Sequence, residues 1–136
     1  MKILIICTGN TCRSQMAEGF LRKKYPDWDI FSAGTKAETV VNPFAVKVMQ
    51  EVDISIEEQK PSQIAFFLDQ SFDYVFTVCD EANEICPMFS GNVKKRLHIG
   101  FEDPAKAVGS EEKILPIYRN VRNQIIEYFD KFRFEH

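Results

Sequence analysis

The sequence contains few of the residues on which most metal and nucleotide sites depend. Its 136 residues include two histidines, His98 and His136, and no Cys-x-x-Cys pair. A histidine-based metal site or a Cys–His catalytic pair is therefore disfavoured. The two glycine-rich loops that typically bind nucleotide phosphates, Gly-x-x-x-x-Gly-Lys-Ser/Thr and Gly-x-Gly-x-x-Gly, are also absent. Nucleotide binding is disfavoured as well.

Charge and hydrophobicity disfavour two further classes of partner. The chain has 17 Lys and Arg against 20 Asp and Glu, a net charge of −3. It therefore lacks the basic excess that binds nucleic acid or an anionic membrane surface. The longest apolar run near the start, residues 3–6, is far shorter than the ~20 residues that span a bilayer. We expect one cytoplasmic domain over residues 1–136, without a nucleic-acid or membrane partner.

Four cysteines remain to be explained. A chain of this length can bury a sufficient core without disulfides. In a reducing compartment, cysteines are more often catalytic, redox-active or metal-bound than permanently paired. These cysteines are therefore available for chemistry.

Short apolar runs alternate along the chain with segments of helical spacing. The patterns predict strands at residues 2–6, 28–32, 74–78 and 96–99, and helices at 13–24, from 43, at 61–68 and from about 111. The strands are interpreted as continuous apolar runs rather than alternating ones, which is typical of a parallel sheet covered on both faces. We predict an α/β fold: a single small doubly wound domain with a four-stranded parallel sheet flanked by helices. Ligands bind such sheets at the carboxyl ends of the strands, where Cys7 and Cys79 lie.

The loop after the first predicted strand has the composition of an oxyanion site. It runs Cys7-Thr8-Gly9-Asn10-Thr11-Cys12-Arg13-Ser14. Gly9 and Asn10 tolerate positive φ, so the loop can curl with its N–H groups inward, and the following helix N-terminus adds partial positive charge. Arg13 supplies a planar two-donor fork. The same field favours the thiolate form of Cys7, to which Ser14 can donate a hydrogen bond. The alternative is a buried structural Cys7 beside a solvated Arg13.

This Cys-x5-Arg-Ser motif resembles the phosphate-binding loop of low-molecular-weight protein tyrosine phosphatases and of the thioredoxin-coupled arsenate reductases built on the same fold. The phosphatases usually continue with Ser-Pro, whereas this chain continues Ser14-Gln15-Met16-Ala17-Glu18-Gly19, as the reductases do. The resemblance extends through Ser32-Ala33-Gly34 and Val41-Asn42-Pro43 to residues 100–105. It implies that residues 8–14 bind arsenate or phosphate.

A second pair of cysteines, Cys79 and Cys86, follows the predicted central strand. If the residues between them form a helix, seven residues place the two Cα atoms roughly 10 Å apart. A disulfide needs about 4.4–6.8 Å, so bonding the two would require this segment to unwind. From spacing alone, two ordinary buried cysteines remain the simpler interpretation. The resemblance implies instead that both take part in a redox relay, because reductases of this type carry two cysteines here.

Asp103 is the candidate general acid, in the loop after the fourth predicted strand. Asp-Pro pairs are common in turns, so the signal is weak by itself. The resemblance strengthens it, because the family's acid is the Asp of an Asp-Pro pair at this place. The phosphatases typically follow with tyrosines, whereas Ala105-Lys106-Ala107 contains none, which also favours a reductase.

The resemblance raises one cofactor question. Glu18 and Ser32 match positions that help to bind potassium near Asn10 in some reductases, but residues 57–62 depart from the expected Thr and Asp ligands. We therefore predict no tightly bound cofactor and no metal site; potassium is possible but unsupported. Cys12 has a counterpart in some reductases, but no chemical step requires it.

Three functions follow from these observations. The first is reduction of arsenate to arsenite through Cys7, Cys79 and Cys86, with Arg13 and Asp103 as further catalytic residues and thioredoxin as the electron donor. The second is a phosphatase that uses Cys7, Arg13 and Asp103. The third is a non-enzymatic oxyanion-binding or thiol-sensing module. The role of Cys79 and Cys86 separates the first from the second.

Overall fold

The computed structural model describes residues 1–80 and 88–135 and contains the predicted four-stranded parallel sheet. Its strands lie in the order β2-β1-β3-β4, all parallel. The elements, in chain order, are β1 (Lys2–Cys7), α1 (Arg13–Lys24), β2 (Asp29–Gly34), α2 (Pro43–Gln50), a 3-10 helix (Ile64–Phe67), β3 (Ser71–Thr77), β4 (Asn92–His98), a second 3-10 helix (Pro104–Lys106) and α3 (Glu111–Lys131). The α/β fold predicted from the sequence is confirmed.

Local sequence explains where these elements begin. Strand β1 is a run of β-branched and leucine side chains that is buried from Ile3 onward. Helix α2 begins at Pro43, which fits the first helical position, and the side chain of Asn42 accepts the N–H groups of Phe44 and Ala45. Helix α3 places Val121, Ile125 and Phe129 on one buried face.

The sheet separates two apolar clusters. Helices α1, α2 and α3 contribute to the larger cluster, together with Ile3, Ile5 and Phe76 from the strands. Leu4, Ile6, Val75 and neighbouring phenylalanines form the smaller cluster on the opposite face. Among residues 1–80 and 88–135, no helix is both long and apolar enough to cross a membrane.

Two local expectations are corrected. The helix predicted over residues 61–68 is wrong: only the 3-10 turn Ile64–Phe67 forms. The preceding chain is held extended, because Gln63 bridges to Gly34 and the carbonyl of Ser62 accepts the Gly34 N–H. Strand β4 is also not a continuous apolar run. It lies at the sheet edge and is largely exposed, as its lysines and arginine suit.

Candidate active site

The loop between β1 and α1 is held in place by hydrogen bonds that its carbonyl oxygens accept from a neighbouring segment. Three of its carbonyl oxygens accept backbone N–H groups from the segment after β2, in the pairs Lys36 to Thr8, Glu38 to Gly9 and Asn42 to Thr11, at 3.0, 3.1 and 2.9 Å. A trans peptide places its C=O and N–H on opposite sides, so the N–H groups that follow these carbonyls turn to the inside of the loop. The loop therefore presents donors to an anion.

Asn10 fixes the curl of this loop. It is fully buried and has a φ of 55°, the left-handed conformation expected of Gly or Asn here. Its side-chain Oδ1 accepts the N–H of Ser62 at 2.8 Å, and its carbonyl accepts the Gln15 amide at 2.9 Å. The two contacts anchor the bend of the loop to α1 and to the segment that follows residue 60.

Gly34 at the end of β2 allows the loop to approach the sheet. A Cβ atom on Gly34 would lie 2.4 Å from the carbonyl oxygen of Thr8. Such a contact is impossible without moving one of the two backbones. Gly34 therefore sets the position of the loop, and the motif Ser32-Ala33-Gly34 contributes to the site through backbone packing.

Cys7 lies at the floor of the loop with its sulfur beside Ser14. The residue is 2% exposed, and its Sγ lies 2.9 Å from the Ser14 Oγ. The contact predicted from the sequence is present. Within the described part of the chain no side chain caps the N-terminus of α1, so the helix dipole acts on the loop directly.

Arg13 is buried, contrary to the alternative of a solvated side chain. It is 4% exposed and donates from Nη1 to the carbonyl oxygen of Phe101 at 3.1 Å. Its Nη2 lies 3.7 Å from Oδ2 of Asp103. These contacts hold the guanidinium at the carboxyl ends of the strands, beside the loop that it helps to form.

Asp103 lies beside Arg13 and lines the same cavity as Cys7. Its Oδ1 accepts the N–H of Ala105 at 3.0 Å and so caps the short 3-10 helix that begins at Pro104. Its other oxygen, Oδ2, faces Arg13, and the side chain is 21% exposed. The turn expected of an Asp-Pro pair thus also aims a carboxyl oxygen at the anion loop.

Loop and turn enclose a cavity of about 580 Å³. We define its floor as the lining residues of the anion loop, Cys7, Thr8, Gly9, Thr11, Cys12 and Arg13, and its rim as Thr35, Lys36, Glu38, Asp103, Ala105 and Lys106. No floor residue is exposed, whereas every rim residue except Asp103 is. Lys36, Glu38 and Lys106 are not predicted from the sequence, because no local pattern marks them as part of a site.

Cys79 is fully buried, two residues beyond the end of β3. In the parallel pairing of β1 with β3, Ile6 lies opposite Thr77, so the next position, Val78, follows opposite Cys7. Cys79 is one residue beyond that position. Cys79 is disulfide-bonded in this structure, whereas Cys7 and Cys12 are free thiols. Cys86, and with it the predicted helix between the two cysteines, lies outside the described residues.

Cys12 also lines the floor of the cavity. It is 3% exposed, and burial raises the pKa of its thiol well above the usual value. The neighbouring Asp103 and Cys7 act in the same direction, and Arg13 opposes them. A thiol held neutral is a poor nucleophile.

The residues around Glu18 do not fit a potassium ion. Both carboxylate oxygens already have donors: Oε1 accepts from Ser32 at 2.7 Å and Oε2 from Arg22 at 2.9 Å. Arg22 and Lys60 line the adjacent cavity and bring their own positive charge. Within residues 1–80 and 88–135, no group of three His, Cys, Asp or Glu side chains could hold a metal ion. Burial raises the pKa of Glu18, which the bonds from Ser32 and Arg22 oppose.

Comparison with known proteins identifies the family of this fold and loop. The sequence pattern of the family described as low molecular weight phosphotyrosine protein phosphatase matches residues 2–133. The chain belongs to this family. The arsenate reductase of Halalkalibacterium halodurans, a curated relative, is 48% identical over 124 residues, which cover 90% of this chain and 88% of that protein. The resemblance inferred from the sequence motifs is thereby confirmed.

Solved structures of arsenate reductases and of a phosphatase are both similar to this chain. A structure described as an arsenate reductase in the phosphate binding state has a TM-score of 0.77 at 30% identity and covers 96% of this chain and 95% of its own. The low molecular weight protein tyrosine phosphatase from T. tengcongensis has a TM-score of 0.70 at 25% identity, with 96% of each chain covered. The fold is common to the two activities.

Proposed function

We propose that the protein reduces arsenate to arsenite with Cys7 as the nucleophile. The observation that carries the proposal is the position of the Cys7 sulfur: on the floor of an anion cradle, beside Ser14, with a second buried cysteine past the end of the adjacent strand. The curated relative named above is an arsenate reductase at 48% identity, which supports this assignment over a hydrolase.

In the first step the Cys7 thiolate attacks arsenate. The inward N–H groups of the loop and the Arg13 guanidinium bind the arsenate oxygens, as they would those of phosphate. Asp103 donates a proton to the departing oxygen, which leaves as water. The product is a thiol–arsenate adduct on Cys7, in which arsenic is still pentavalent.

In the second step Cys79, once its disulfide has been reduced to the thiol, attacks the Cys7 sulfur. A Cys7–Cys79 disulfide forms, the sulfur–arsenic bond breaks, and its electron pair stays on arsenic, which leaves as trivalent arsenite. Cys86 then attacks Cys79, which releases Cys7 as thiolate and leaves a Cys79–Cys86 disulfide. Thioredoxin reduces this disulfide with two electrons. The buried position of Cys79 beside the site supports its role as the first electron donor.

The test is arsenate-dependent consumption of NADPH with thioredoxin and thioredoxin reductase, with Cys79→Ser measured in parallel. We expect turnover by the natural protein and none by the variant. Hydrolysis of p-nitrophenyl phosphate provides the matched control, because it needs the cradle but not Cys79. If arsenate gives no turnover and aryl phosphate hydrolysis is rapid and unchanged in Cys79→Ser, the protein is a phosphatase and the proposal is wrong.

A further inference from the structure

Asn42, the residue before α2, connects three parts of the molecule. Its backbone N–H donates to the Thr11 carbonyl of the anion loop at 2.9 Å. Its Oδ1 accepts the N–H groups of Phe44 and Ala45 at the start of α2, at 2.8 and 3.4 Å. Its Nδ2 donates to the hydroxyl oxygen of Tyr118 on α3, at 2.9 Å. The anion loop, α2 and α3 are therefore all hydrogen-bonded to one residue.

These contacts leave the Asn42 amide a single orientation. A carbonyl oxygen only accepts and an NH2 group only donates, so the end that faces the N–H groups of α2 must be Oδ1. The other end, Nδ2, needs an acceptor, and among the described residues Tyr118 provides it. Tyr118 is 2% exposed. Burial raises the pKa of its hydroxyl, and Cys12 acts in the same direction, so the hydroxyl is neutral at pH 7.

The Thr11 carbonyl belongs to the peptide unit that carries the Cys12 N–H. Asn42 holds the carbonyl side of this unit, and the N–H on the other side faces the inside of the loop. A shift of Asn42 therefore turns one of the donors to the anion. Of the three residues that hold the loop carbonyls, Lys36 and Glu38 are exposed, whereas Asn42 is half-buried and has both ends of its amide hydrogen-bonded.

We propose that Tyr118 is a positioning residue for the anion loop, which acts through Asn42 to hold the Cys12 N–H toward the bound oxyanion. The inference rests on one part of the proposed function, namely that the loop binds the arsenate oxygens. It gives α3, which contributes no residue to the lining of the cavity, an effect on oxyanion affinity.

Tyr118→Phe removes only the hydroxyl. The ring keeps its packing against Phe44, with 5.4 Å between the ring centroids, while the Asn42 amide loses its acceptor. We expect the dissociation constant of inorganic phosphate, measured by calorimetry on the fully reduced protein, to rise about three- to tenfold, the effect of about one hydrogen bond. KM for arsenate should rise as well, with kcat unchanged, because Cys7 and Asp103 are not altered.

Asn42→Ser shows whether Tyr118 acts through Asn42. Serine still caps α2 and keeps the backbone N–H for Thr11, but it has no NH2 group. We expect Asn42→Ser to weaken phosphate binding about as much as Tyr118→Phe does, and the double variant to weaken it no further. If the two effects multiply instead, Tyr118 acts by another route and the inference is overturned.

Two further variants of α3 separate positioning from stability. Val121→Ala leaves a cavity in the core and should destabilise the fold, yet leave phosphate affinity unchanged. Tyr128→Phe removes a hydroxyl that has no hydrogen-bond partner among the described residues, and it should also leave phosphate affinity unchanged.

Two results would overturn the inference: a phosphate affinity of Tyr118→Phe equal to that of the natural protein, or an equal loss of affinity in Val121→Ala. Failure of the proposed function gives a different result. A natural protein that binds phosphate but does not reduce arsenate contradicts the proposed function, while the comparison of phosphate affinities still decides the role of Tyr118.

Discussion

The floor and the rim of the cavity are built in opposite ways. The floor is one contiguous segment, residues 7–13, whose carbonyls are bonded from outside and whose key side chains, Cys7 and Arg13, are buried. The rim comes from two separate segments, after β2 and after β4, and its lysines and Glu38 are exposed. A buried floor whose carbonyls are hydrogen-bonded is expected to tolerate few substitutions, whereas an exposed rim is expected to tolerate many.

Arg13→Lys tests the floor most severely. Lysine keeps the charge but loses the planar fork, so it cannot bind two oxygens of the anion and the Phe101 carbonyl together. We expect kcat/KM for arsenate to fall about 10²- to 10³-fold, as when a preorganised oxyanion donor is removed. Steady-state arsenate reduction checks this. A loss of less than tenfold would contradict the role of Arg13 in the floor.

Gly34→Ala tests whether the floor depends on backbone packing. The new Cβ would lie 2.4 Å from the Thr8 carbonyl oxygen, so either the loop or the end of β2 must move. We expect about 1–3 kcal/mol of destabilisation, as for other overpacked sites, and at least a tenfold loss of arsenate turnover. Urea unfolding and initial rates measure the two effects. Unchanged turnover in a destabilised variant would show that the loop position is not set by Gly34.

Glu51 provides a site that belongs to neither floor nor rim. Hydrogen bonds from Arg119, and secondarily from Arg122, lower the pKa of Glu51 to about 2. A lowered carboxyl pKa stabilises the fold above the unfolded value near pH 4.5, and this contribution is lost as the pH falls toward 2. Glu51→Gln should cost about 1 kcal/mol at pH 7, allowing for solvent screening of this partly exposed pair.

Urea unfolding at pH 7, 4 and 3 follows this contribution directly. The difference between Glu51→Gln and the natural protein should shrink steadily as the pH falls. Arsenate turnover at pH 7 should be unchanged, because the ion pair contacts neither floor nor rim. A difference that is constant across this pH range would mean that the carboxylate charge is not what stabilises the fold.

Glu38→Gln probes the rim and should have the smallest effect. Its Oε2 lies 3.3 Å from the position of a Cβ on Gly9, so the carboxylate stands at the mouth of the cavity. Removing this exposed charge should lower KM for arsenate about two- to threefold at low salt, with kcat unchanged, and the effect should disappear at high ionic strength.

Asp69→Asn is the matched control for Glu38→Gln. It makes the same change in net charge just before β3, at the opposite end of the sheet from the cavity. Its kinetics should equal those of the natural protein at every salt concentration. If both variants lower KM equally, the effect comes from net charge and the rim has no specific role.

The sequence predicts the floor well and the rim poorly for a physical reason. Cys7, Arg13 and the loop between them are contiguous, so their chemistry is visible in the spacing alone. Lys36, Glu38 and Lys106 meet only after folding, and no local pattern distinguishes them from ordinary surface charges. The helix wrongly predicted over residues 61–68 has a similar cause, since the Gly34–Gln63 bridge that keeps the chain extended is a long-range contact.

Single-turnover reduction of arsenate tests the central claim most directly. Fully reduced Cys86→Ser, without thioredoxin, should release about one arsenite per chain and then stop, with Cys7 and Cys79 joined in a disulfide that mass spectrometry identifies. Cys7→Ser should release none. Sustained thioredoxin-driven turnover by Cys86→Ser, or arsenite release by Cys7→Ser, would contradict the account.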